Sequence, residues 1–326
     1  MLQAPHRFLI LHACISAVLG ISPGDTFERI LAIDVAKECA SANVTVTTPS
    51  GYQQHIVGFV AINFTRSLGG PNHSEVLTPT SAPDIRFRYR PLKDAGTYFY
   101  NASVDVDGNS RRIVNGSFVV SPGAEVDDIV RVGPSNVYFQ RYGKPMFLVG
   151  GNMECWDCVL GEPQWRTGDL ASRPLPNGTY EFERWLQRLA AAGGNFARVW
   201  INVPGGIRTE LAPNITYTFP NHTRGRLPGG GVGRYDQASA WRLDFMLRAA
   251  HVHGVTLLLC VETARSLDPG REWGSWSAYN RVNGGFLDDA REFWTDAAAL
   301  GAFEARLRSG LGSGSGLGLG SGLGLG

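Results

Sequence analysis

Between about residues 26 and 120, apolar and polar positions alternate with a period of two. The runs "ANVTVTTPSG", "HIVGFVAINFT", "DIRFRYRP", "GTYFYNASVDVDGN" and "RRIVNGSFVV" are rich in β-branched and aromatic residues and are separated by turn residues. This pattern is typical of half-buried antiparallel strands, and "DGN" at 107–109 is a hairpin signal. The sequence therefore predicts an all-β sandwich over residues 24–122.

The pattern changes after a linker at residues 123–134. The segment "NVYFQRYGKPMFLVGGN" predicts a hairpin whose second arm, residues 146–149, is apolar enough to be fully buried. Helical spacing and a closing glycine in "YEFERWLQRLAAAGG" precede the apolar strand "NFARVWINV", and "ASAWRLDFMLRAAHVHG" precedes "VTLLLCVET" in the same way. A third helix is predicted in "DAREFWTDAAALGAFEARLR". Helices that alternate with continuous apolar strands predict a parallel sheet of right-handed units over residues 135–308.

The last segment, residues 309–326, is low in complexity. It contains only glycine, leucine and serine after its first residue, with glycine at every second position. Glycine at this density costs too much conformational entropy to order without a packed partner. We therefore predict a disordered tail.

The stretch "DAGTYFY" at 94–100 resembles the Asp-x-Gly-x-Tyr corner of immunoglobulin-type domains. That resemblance implies that the Tyr98 hydroxyl bonds back to the backbone at the start of a strand. Tyr100 stands where antibody domains carry a cysteine, so no inter-sheet disulfide is expected there. For this domain a spacer that packs on its neighbour is favoured over sugar binding, because the sequence indicates no aromatic platform on one exposed face.

Polar and aromatic side chains collect where the predicted parallel strands end, which is where ligands bind in such sheets. They are Asn152, Glu154, Trp156 and Asp157 after the first strand, Arg198 and Asn202 along the second, Glu262 at the end of the third, and Trp273, Trp276, Tyr279 and Asn280 in the following loop. Carboxylates, amides and indoles at one mouth indicate a site for a polysaccharide or oligosaccharide. Plainer interpretations stay open, with Glu262 as a solvated strand end, Glu154 and Asp157 as surface charges, and Trp200 as packing.

Charge and composition argue against other partners. The chain has 30 Lys and Arg against 29 Asp and Glu, a net charge of +1, and no basic stripe suited to nucleic acid. No cofactor is expected. No metal site is predicted either, because a zinc site at "CWDC" would need two further ligands, and the nearby His251 and His253 are expected to cap a helix.

The N-terminal residues indicate export. Arg7 precedes an apolar run over residues 8–21, and small residues around Val18 and Gly20 suit a signal peptidase. We interpret residues 1–20 as a cleaved signal peptide of a secreted protein, because the run is too short and interrupted for stable membrane insertion. An uncleaved signal anchor that tethers the protein to the membrane is the alternative.

Two further features bear on the compartment. Asn-x-Ser/Thr acceptors predict a glycoprotein and occur at Asn43, Asn63, Asn72, Asn101, Asn115, Asn177, Asn214 and Asn221. After signal cleavage four cysteines remain, Cys39, Cys155, Cys158 and Cys260. They permit one or two disulfides, and the sequence leaves all three pairings open.

Four segments in order resemble the secreted glycoside hydrolases of clan A, the cellulase and mannanase type related to family 5. They are "YGKPMFLVGGNMECW", "WLQRLAAAGGNFARVWI", "WRLDFMLRAAHVHGVTLLLCVET" and "YNRVNGGFLDDAREFWTDAAALGAFEARLR". In particular they resemble the group in which an immunoglobulin-like domain of unknown function precedes a (β/α)8 barrel. The segment "RFRYRPLKDAGTYFYNASV" is similar to that preceding domain, so the resemblance covers residues 24–308.

The resemblance implies roles for three residues. Arg198 matches the arginine that supports the catalytic carboxylate in these hydrolases, and Trp276 and Asn280 match the substrate-side loop. The family's acid/base glutamate follows an asparagine at the end of the fourth barrel strand, and its nucleophile ends the seventh. A complete barrel takes about 250 residues, whereas residues 136–308 number 173 and cover about three strand-helix units. The expected fold is therefore an immunoglobulin-like sandwich followed by an incomplete (β/α)8 TIM-type barrel and the tail.

The same count decides the expected function. Without the fourth and seventh strands, we expect a glycoside hydrolase-like protein that is catalytically incomplete, with a non-catalytic secreted carbohydrate-binding or structural glycoprotein as the alternative. Glu262, paired with Glu154, is the remaining candidate for a catalytic carboxylate. It is not favoured, because nothing in the surrounding sequence indicates the one protonated and one ionised carboxyl that the reaction uses.

Overall fold

The computed structural model describes residues 21–33, 35, 41–69, 75–106, 111–126, 130–153, 178–201, 210, 216–218, 224–226, 231–262, 264–270 and 277–312. These residues form the strands β1 (Phe27–Ile33), β2 (Ser41–Thr47), β3 (Gln53–Ala61), β4 (Phe64–Leu68), β5 (Glu75–Pro79), β6 (Asp84–Tyr89), β7 (Gly96–Asp105), β8 (Arg111–Val120), β9 (Arg131–Val132), β10 (Phe139–Arg141), β11 (Lys144–Met146), β12 (Gly150–Met153), β13 (Phe196–Trp200), β14 (Thr216–Thr218), β15 (Arg224–Arg226) and β16 (Thr256–Cys260). The helices are α1 (Thr179–Ala191), α2 (Gln237–Val252) and α3 (Ala297–Gly312), with 3-10 helices at Ala264–Leu267, Arg281–Asn283 and Ala290–Trp294.

Six strands form the β domain, in the order β1-β6-β3-β2-β7-β8, and all neighbours are antiparallel. Strand β3 belongs to both halves of this sheet, because residues 53–58 pair with β2 and residues 59–61 pair with β6. β7 and β8 pair along their whole length, with Asp105 opposite Arg111 at the hairpin end. The predicted alternating strands are therefore confirmed, while the turn at 107–109 lies outside the described residues.

The core of the β domain is aromatic. The ring of Phe27 stacks on Phe118 with centroids 4.0 Å apart, and Phe87 lies 5.0 Å from Tyr100. Gly116 makes room for this packing, because a Cβ at that position would lie 2.3 Å from the Tyr100 hydroxyl oxygen. Each large apolar side chain buried in this way stabilises the fold by about 1.5–3 kcal/mol.

Tyr98 closes the corner before β7. Its buried hydroxyl donates a shared hydrogen bond to the carbonyl oxygens of Lys93, at 2.7 Å, and Asp94, at 3.0 Å. Asp94 adopts a left-handed backbone with φ of 63°. Burial raises the pKa of Tyr98 to about 12, so the hydroxyl remains a donor at neutral pH. The predicted backbone bond of Tyr98 is confirmed.

The parallel-sheet region consists of β12, β13 and β16 with helices α1 and α2. The three strands are parallel, with Asn152 opposite Arg198 and Arg198 opposite Leu258. Phe182 and Met246, on α1 and α2, pack against one face of this sheet. Glycines with positive φ follow both helices, Gly193 at 81° and Gly254 at 68°. The predicted parallel strands and glycine helix ends are thus confirmed.

Two residues set the register between β12 and β13. A Cβ at Gly150 would lie 1.7 Å from the Phe196 carbonyl oxygen, so only glycine allows this approach. The Asn195 side chain accepts from the Val149 amide and donates to the Phe147 carbonyl, both at 2.8 Å. The strand therefore enters the sheet at residue 150.

The hairpin predicted before this sheet is present, but its second arm is not buried. β10 pairs with β11 and with β9, so these strands form a separate three-stranded sheet. Because the parallel sheet begins only at Gly150, the apolar run before it lies outside both cores, and Phe147 is 64% exposed. The prediction that residues 146–149 are buried was wrong.

The third predicted helix is divided in two. A 3-10 helix begins after Asp289, which forms a capping box with Glu292, and Thr295 ends it. α3 then starts after Asp296, whose carboxylate accepts from the Ala299 amide at 2.8 Å. α3 contacts β3 of the β domain and continues to Gly312, four residues into the segment predicted as tail.

The hairpin β4–β5 docks the β domain on the parallel-sheet region through Glu75, whose side chain is 0% exposed. One carboxylate oxygen accepts from the Thr179 amide at 3.0 Å and from the Thr179 hydroxyl, and the other accepts from Arg242 Nε at 2.8 Å. The residue before α1 is Gly178, which has no side chain to cap the helix. Glu75 therefore supplies the missing acceptor to the positive end of α1.

Two arginines of the β domain extend this contact. The Arg66 guanidinium lies 3.9 Å from the ring centroids of both Tyr180 and Phe245. Arg88 Nη1 lies 2.8 Å from an oxygen of Asp244 on α2. The two regions therefore pack on each other through paired charges and cation–π contacts.

Candidate functional site

The parallel sheet has one face covered by helices and one that we call the open face. Ala197 and Val199 point towards α1 and α2, so Arg198 and Trp200 lie on the other side of β13. On β16 the same alternation places Leu258 and Cys260 on the open face, and Glu262 follows two residues after the cysteine. The carboxyl ends of the three parallel strands lie together at one end of the sheet, which is where ligands bind in other parallel sheets.

Arg198 occupies the middle of the open face. Its Nε lies 3.0 Å from Cys260 Sγ, and its guanidinium lies 5.1 Å from the Trp200 ring centroid. The indole nitrogen of Trp200 is buried, and no residue that the structure describes accepts a hydrogen bond from it. Arg198 and Trp200 thus bring a cation and a flat indole together on one surface.

Glu262 is held by two side chains at the end of β16. One carboxylate oxygen accepts from the Ser266 hydroxyl at 2.6 Å, and the other accepts from Arg306 Nη2 at 2.9 Å. The same nitrogen donates to the Val261 carbonyl at 3.1 Å. Arg306, on α3, therefore joins the last helix to the end of the third parallel strand.

Arg306 also bonds a second carboxylate. Its Nη1 lies 3.2 Å from an oxygen of Glu210, whose other oxygen accepts from the Gly233 amide at 2.6 Å. Burial raises the pKa of Glu210, although Arg306 partly offsets this. Burial also raises the pKa of Tyr279, whose hydroxyl is buried and has no hydrogen-bond partner among the described residues. We call these residues, with Glu262, the Arg306 cluster.

The Arg306 cluster has the chemistry of a buried ion-pair network. Arg306 is 5% exposed, and the side chains of Glu210 and Glu262 are 1% and 14% exposed. A glycosidase places two carboxyl groups across the bond that it cleaves, with space between them for the sugar. Here a guanidinium lies between the two carboxylates. This arrangement fastens α3 to the sheet and leaves no space for a glycosidic bond.

Of the remaining predicted site residues, the structure describes some and not others. Asn280 is buried at the start of the 3-10 helix Arg281–Asn283, where its side-chain oxygen accepts from the Val282 amide at 2.9 Å. Its predicted role in substrate binding stays a prediction. Several other candidates lie outside the described residues, namely Glu154, Trp156, Asp157, Asn202, Trp273 and Trp276.

The structure likewise describes only some of the predicted glycosylation sites and cysteines. Asn43, Asn63, Asn101 and Asn115 are exposed in the β domain, and Asn72, Asn177, Asn214 and Asn221 are outside the described part of the chain. Cys260 forms no disulfide with any residue that the structure describes. The other three cysteines and the predicted signal segment also fall outside it.

Neither a membrane-spanning helix nor a metal-binding cluster is found among the described residues. None of the helices there is both long and apolar enough to pass through a bilayer. No group of three or more His, Cys, Asp or Glu side chains in the described ranges is placed to bind a metal ion.

Comparisons with known proteins give a fold but no family. No protein-family model and no curated protein matches the chain. Among solved structures, a "putative glycoside hydrolase" from Bacteroides vulgatus aligns at 15% identity and a TM-score of 0.50, over 79% of this chain and 44% of that chain. A family 5 mannosidase from Rhizomucor miehei aligns at 17% identity and a TM-score of 0.33, over 55% and 41%. A GH5 xyloglucanase from Bacteroides ovatus aligns at 10% identity and a TM-score of 0.19, over 74% and 43%.

The chain therefore has a glycoside hydrolase fold. This statement rests on the Bacteroides vulgatus structure, and the chain spans less than half of the length of each of these three proteins. Sequence reasoning placed Arg198 along the second parallel strand and Glu262 at the end of the third, but it missed Arg306 and Glu210. Nothing in the local pattern of α3 distinguishes Arg306 from a surface arginine, because its partners lie 44 and 96 residues away in the chain.

Proposed function

We propose that the open face binds a polysaccharide or oligosaccharide in a secreted glycoside hydrolase-like protein. The observation that carries this proposal is the placement of Arg198 beside Trp200 on the open face, in a fold shared with a glycoside hydrolase. An indole ring offers an apolar surface to the C–H groups of a sugar, and a guanidinium donates several hydrogen bonds to hydroxyl oxygens. The proposal also takes the β domain to be immunoglobulin-like and the parallel strands to be the first three of a (β/α)8 barrel.

Cleavage of a glycosidic bond would need carboxylates other than Glu262 and Glu210. Glu262 and Glu210 are both bonded to Arg306, which favours a structural role for them. An acid/base and a nucleophile on further barrel strands would be needed to cleave a glycosidic bond. Within this proposal, the described strands supply recognition and the Arg306 cluster supplies rigidity.

Secretion is part of the same proposal. It is supported by the apolar segment after Arg7 and by the eight acceptor asparagines. The four acceptors in the described part of the β domain are exposed, as a glycosylated side chain must be.

Binding can be measured by affinity electrophoresis of the full chain in gels that contain β-mannan or mixed-linkage β-glucan. We expect Arg198→Ala to weaken retention at least tenfold, because a hydrogen bond to a charged group is worth about 1.5–3 kcal/mol. Arg188→Ala is the matched control, since Arg188 is exposed in the last turn of α1, away from the open face. Equal retention of the two variants would contradict the proposed site, and no retention of the parent chain on either glycan would favour a structural glycoprotein.

Catalysis is tested separately by reducing-sugar release. We expect no release from either glycan, and we expect Glu262→Gln to lower the thermal midpoint because Arg306 loses a charged partner. Release by the parent chain that disappears in Glu262→Gln, with an unchanged thermal midpoint, would overturn the structural role of Glu262 and identify it as a catalytic residue.

A further inference from the structure

The outward side of the β domain carries a concavity that is separate from the open face. Its volume is about 530 Å³, and it is shallow and open to solvent, so a ligand would lie along the sheet surface. Two cross-strand rows line it over strands β3, β2, β7 and β8. The first row is Gln53, Thr47, Phe99 and Ser117, and the second contributes Thr45, Asn101 and Asn115.

Phe99 is the apolar centre of this concavity. It is 57% exposed and makes no contact with another aromatic ring among the described residues. A single exposed phenylalanine on a strand is ordinary by itself. Here, however, hydroxyl and amide groups surround the ring, with Thr47 on one neighbouring strand and Ser117 on the other. A flat ring inside a set of hydrogen-bonding groups can pack on one side of a sugar while its hydroxyls are bonded.

The side chains that line the concavity also indicate the charge of the ligand that it would bind. No Asp, Glu, Lys or Arg is among the residues that line the concavity in the described part of the chain. Asn101 Nδ2 donates to Asn115 Oδ1 at 2.7 Å, which holds the two amides in place across the strands. A row across four strands is about 14 Å long, because neighbouring strands lie about 4.8 Å apart. An elongated, uncharged, hydroxyl-rich ligand fits this surface better than a charged peptide or a polyanion.

We propose that this concavity binds a neutral oligosaccharide and gives the protein a second glycan site. The site goes beyond the proposed function and does not require the open face to bind anything. Asn101 and Asn115 are also predicted glycosylation acceptors, and a glycan on either would fill the same space. The proposal therefore concerns the form of the protein in which neither asparagine carries a glycan, and the test uses the full chain produced in a bacterial host without N-glycosylation.

Affinity electrophoresis on β-mannan and mixed-linkage β-glucan is run with the parent chain, Phe99→Ala, Phe99→Tyr and Ile113→Ala. Ile113 is the matched control, because it is 56% exposed on the same side of the sheet but does not line the concavity. In a chain that also carries Arg198→Ala, we expect Phe99→Ala to lose at least tenfold in affinity and Phe99→Tyr to keep most of it. Thermal midpoints close to the parent value would show that both variants fold.

Two readouts distinguish this site from the open face. The same substitutions are made in an Arg198→Ala background, where binding at the open face is expected to be at least tenfold weaker. In addition, none of the eight tryptophans lies in residues 24–122, so binding at the concavity should leave the tryptophan emission unchanged. Retention that survives Arg198→Ala and is lost on Phe99→Ala supports the proposal. Retention equal in Phe99→Ala and Ile113→Ala, or no retention of the Arg198→Ala chain, would overturn it.

Discussion

The β domain and the parallel-sheet region use their apolar residues differently. In the β domain the two halves of one sheet meet, so that Phe87 is 0% exposed in an aromatic core. In the parallel-sheet region helices cover one face, and Leu258 in the middle of β16 is 50% exposed on the other. Strands of similar hydrophobicity therefore contribute very different free energies of burial. An apolar run identifies a strand, but only its partners determine how much it stabilises the fold.

The largest expected effect concerns the contact between the two regions. Glu75→Ala removes the only cap of α1 that we find among the described residues and leaves Arg242 buried beside an empty space. Breaking a buried ion pair in this way costs about 3–5 kcal/mol. The free energy of unfolding from urea titration should fall by that amount, with one joint transition for both regions in the parent chain.

The control for this change is Glu183→Ala, since Glu183 also meets an arginine of the β domain but is 41% exposed. Exposed pairs contribute about 0–1 kcal/mol. If both variants lost the same free energy, the buried carboxylate would have no special part in joining the two regions.

An effect of similar size tests the comparison between the two regions directly. Phe87→Ala should reduce the free energy of unfolding by about 3–5 kcal/mol, because it opens a cavity in a closed core. Leu258→Ala, on the open face, should change it by less than about 1 kcal/mol. Urea titration of both variants gives the two values. A large loss for Leu258→Ala would show that the open face is covered in solution.

The smallest expected effect depends on pH. Burial raises the pKa of Asp244 from 3.8 to about 6, and Arg88 opposes this shift only in part. A raised carboxyl pKa means that the folded state holds the proton more tightly than the unfolded state. The Asp244 proton contributes at most roughly 3 kcal/mol to the free energy of unfolding. This contribution is fully present below about pH 4 and is lost as the pH rises through about 6.

Asp244→Asn removes this titration. The difference in free energy of unfolding between the parent chain and the variant should therefore shift in favour of the parent chain as pH falls from 7.5 to 4.5. The same pH series is measured for Glu183→Gln, whose side chain is 41% exposed, so that the effect of removing a charge at the surface can be subtracted. Parallel pH profiles for the parent chain and Asp244→Asn would rule out a raised pKa at this position.

Sequence reasoning succeeded where local pattern decides the structure. The alternation in "GTYFYNASVDVDGN" fixes which side chains of β7 point inward, and the glycines after α1 and α2 end those helices by their own backbone freedom. It failed for the hairpin β4–β5, which was not predicted as the docking element. The roles of Arg66 and Glu75 depend on residues more than 100 positions away, and no local pattern encodes such a distance.

The candidate sites show the same division. Glu262 was found because a strand end is visible in a sequence, and Arg198 was found through the family resemblance, whereas Arg306 was missed because its partners come from the sheet end and a distant loop. Phe99 illustrates a third case. The alternation of β7 already points it outward, but the polar residues that frame it come from three other strands, so the sequence alone indicated only a spacer.

The capping of α1 by Glu75 has a consequence for biosynthesis. The carboxylate that stabilises the start of this helix lies 104 residues earlier in the chain, within the domain that leaves the ribosome first. Domains generally fold in the order of their synthesis. The β domain can thus be complete when Thr179 emerges, and the newly made helix then nucleates on a preformed carboxylate. We therefore expect the first domain to act as an intramolecular template for the second.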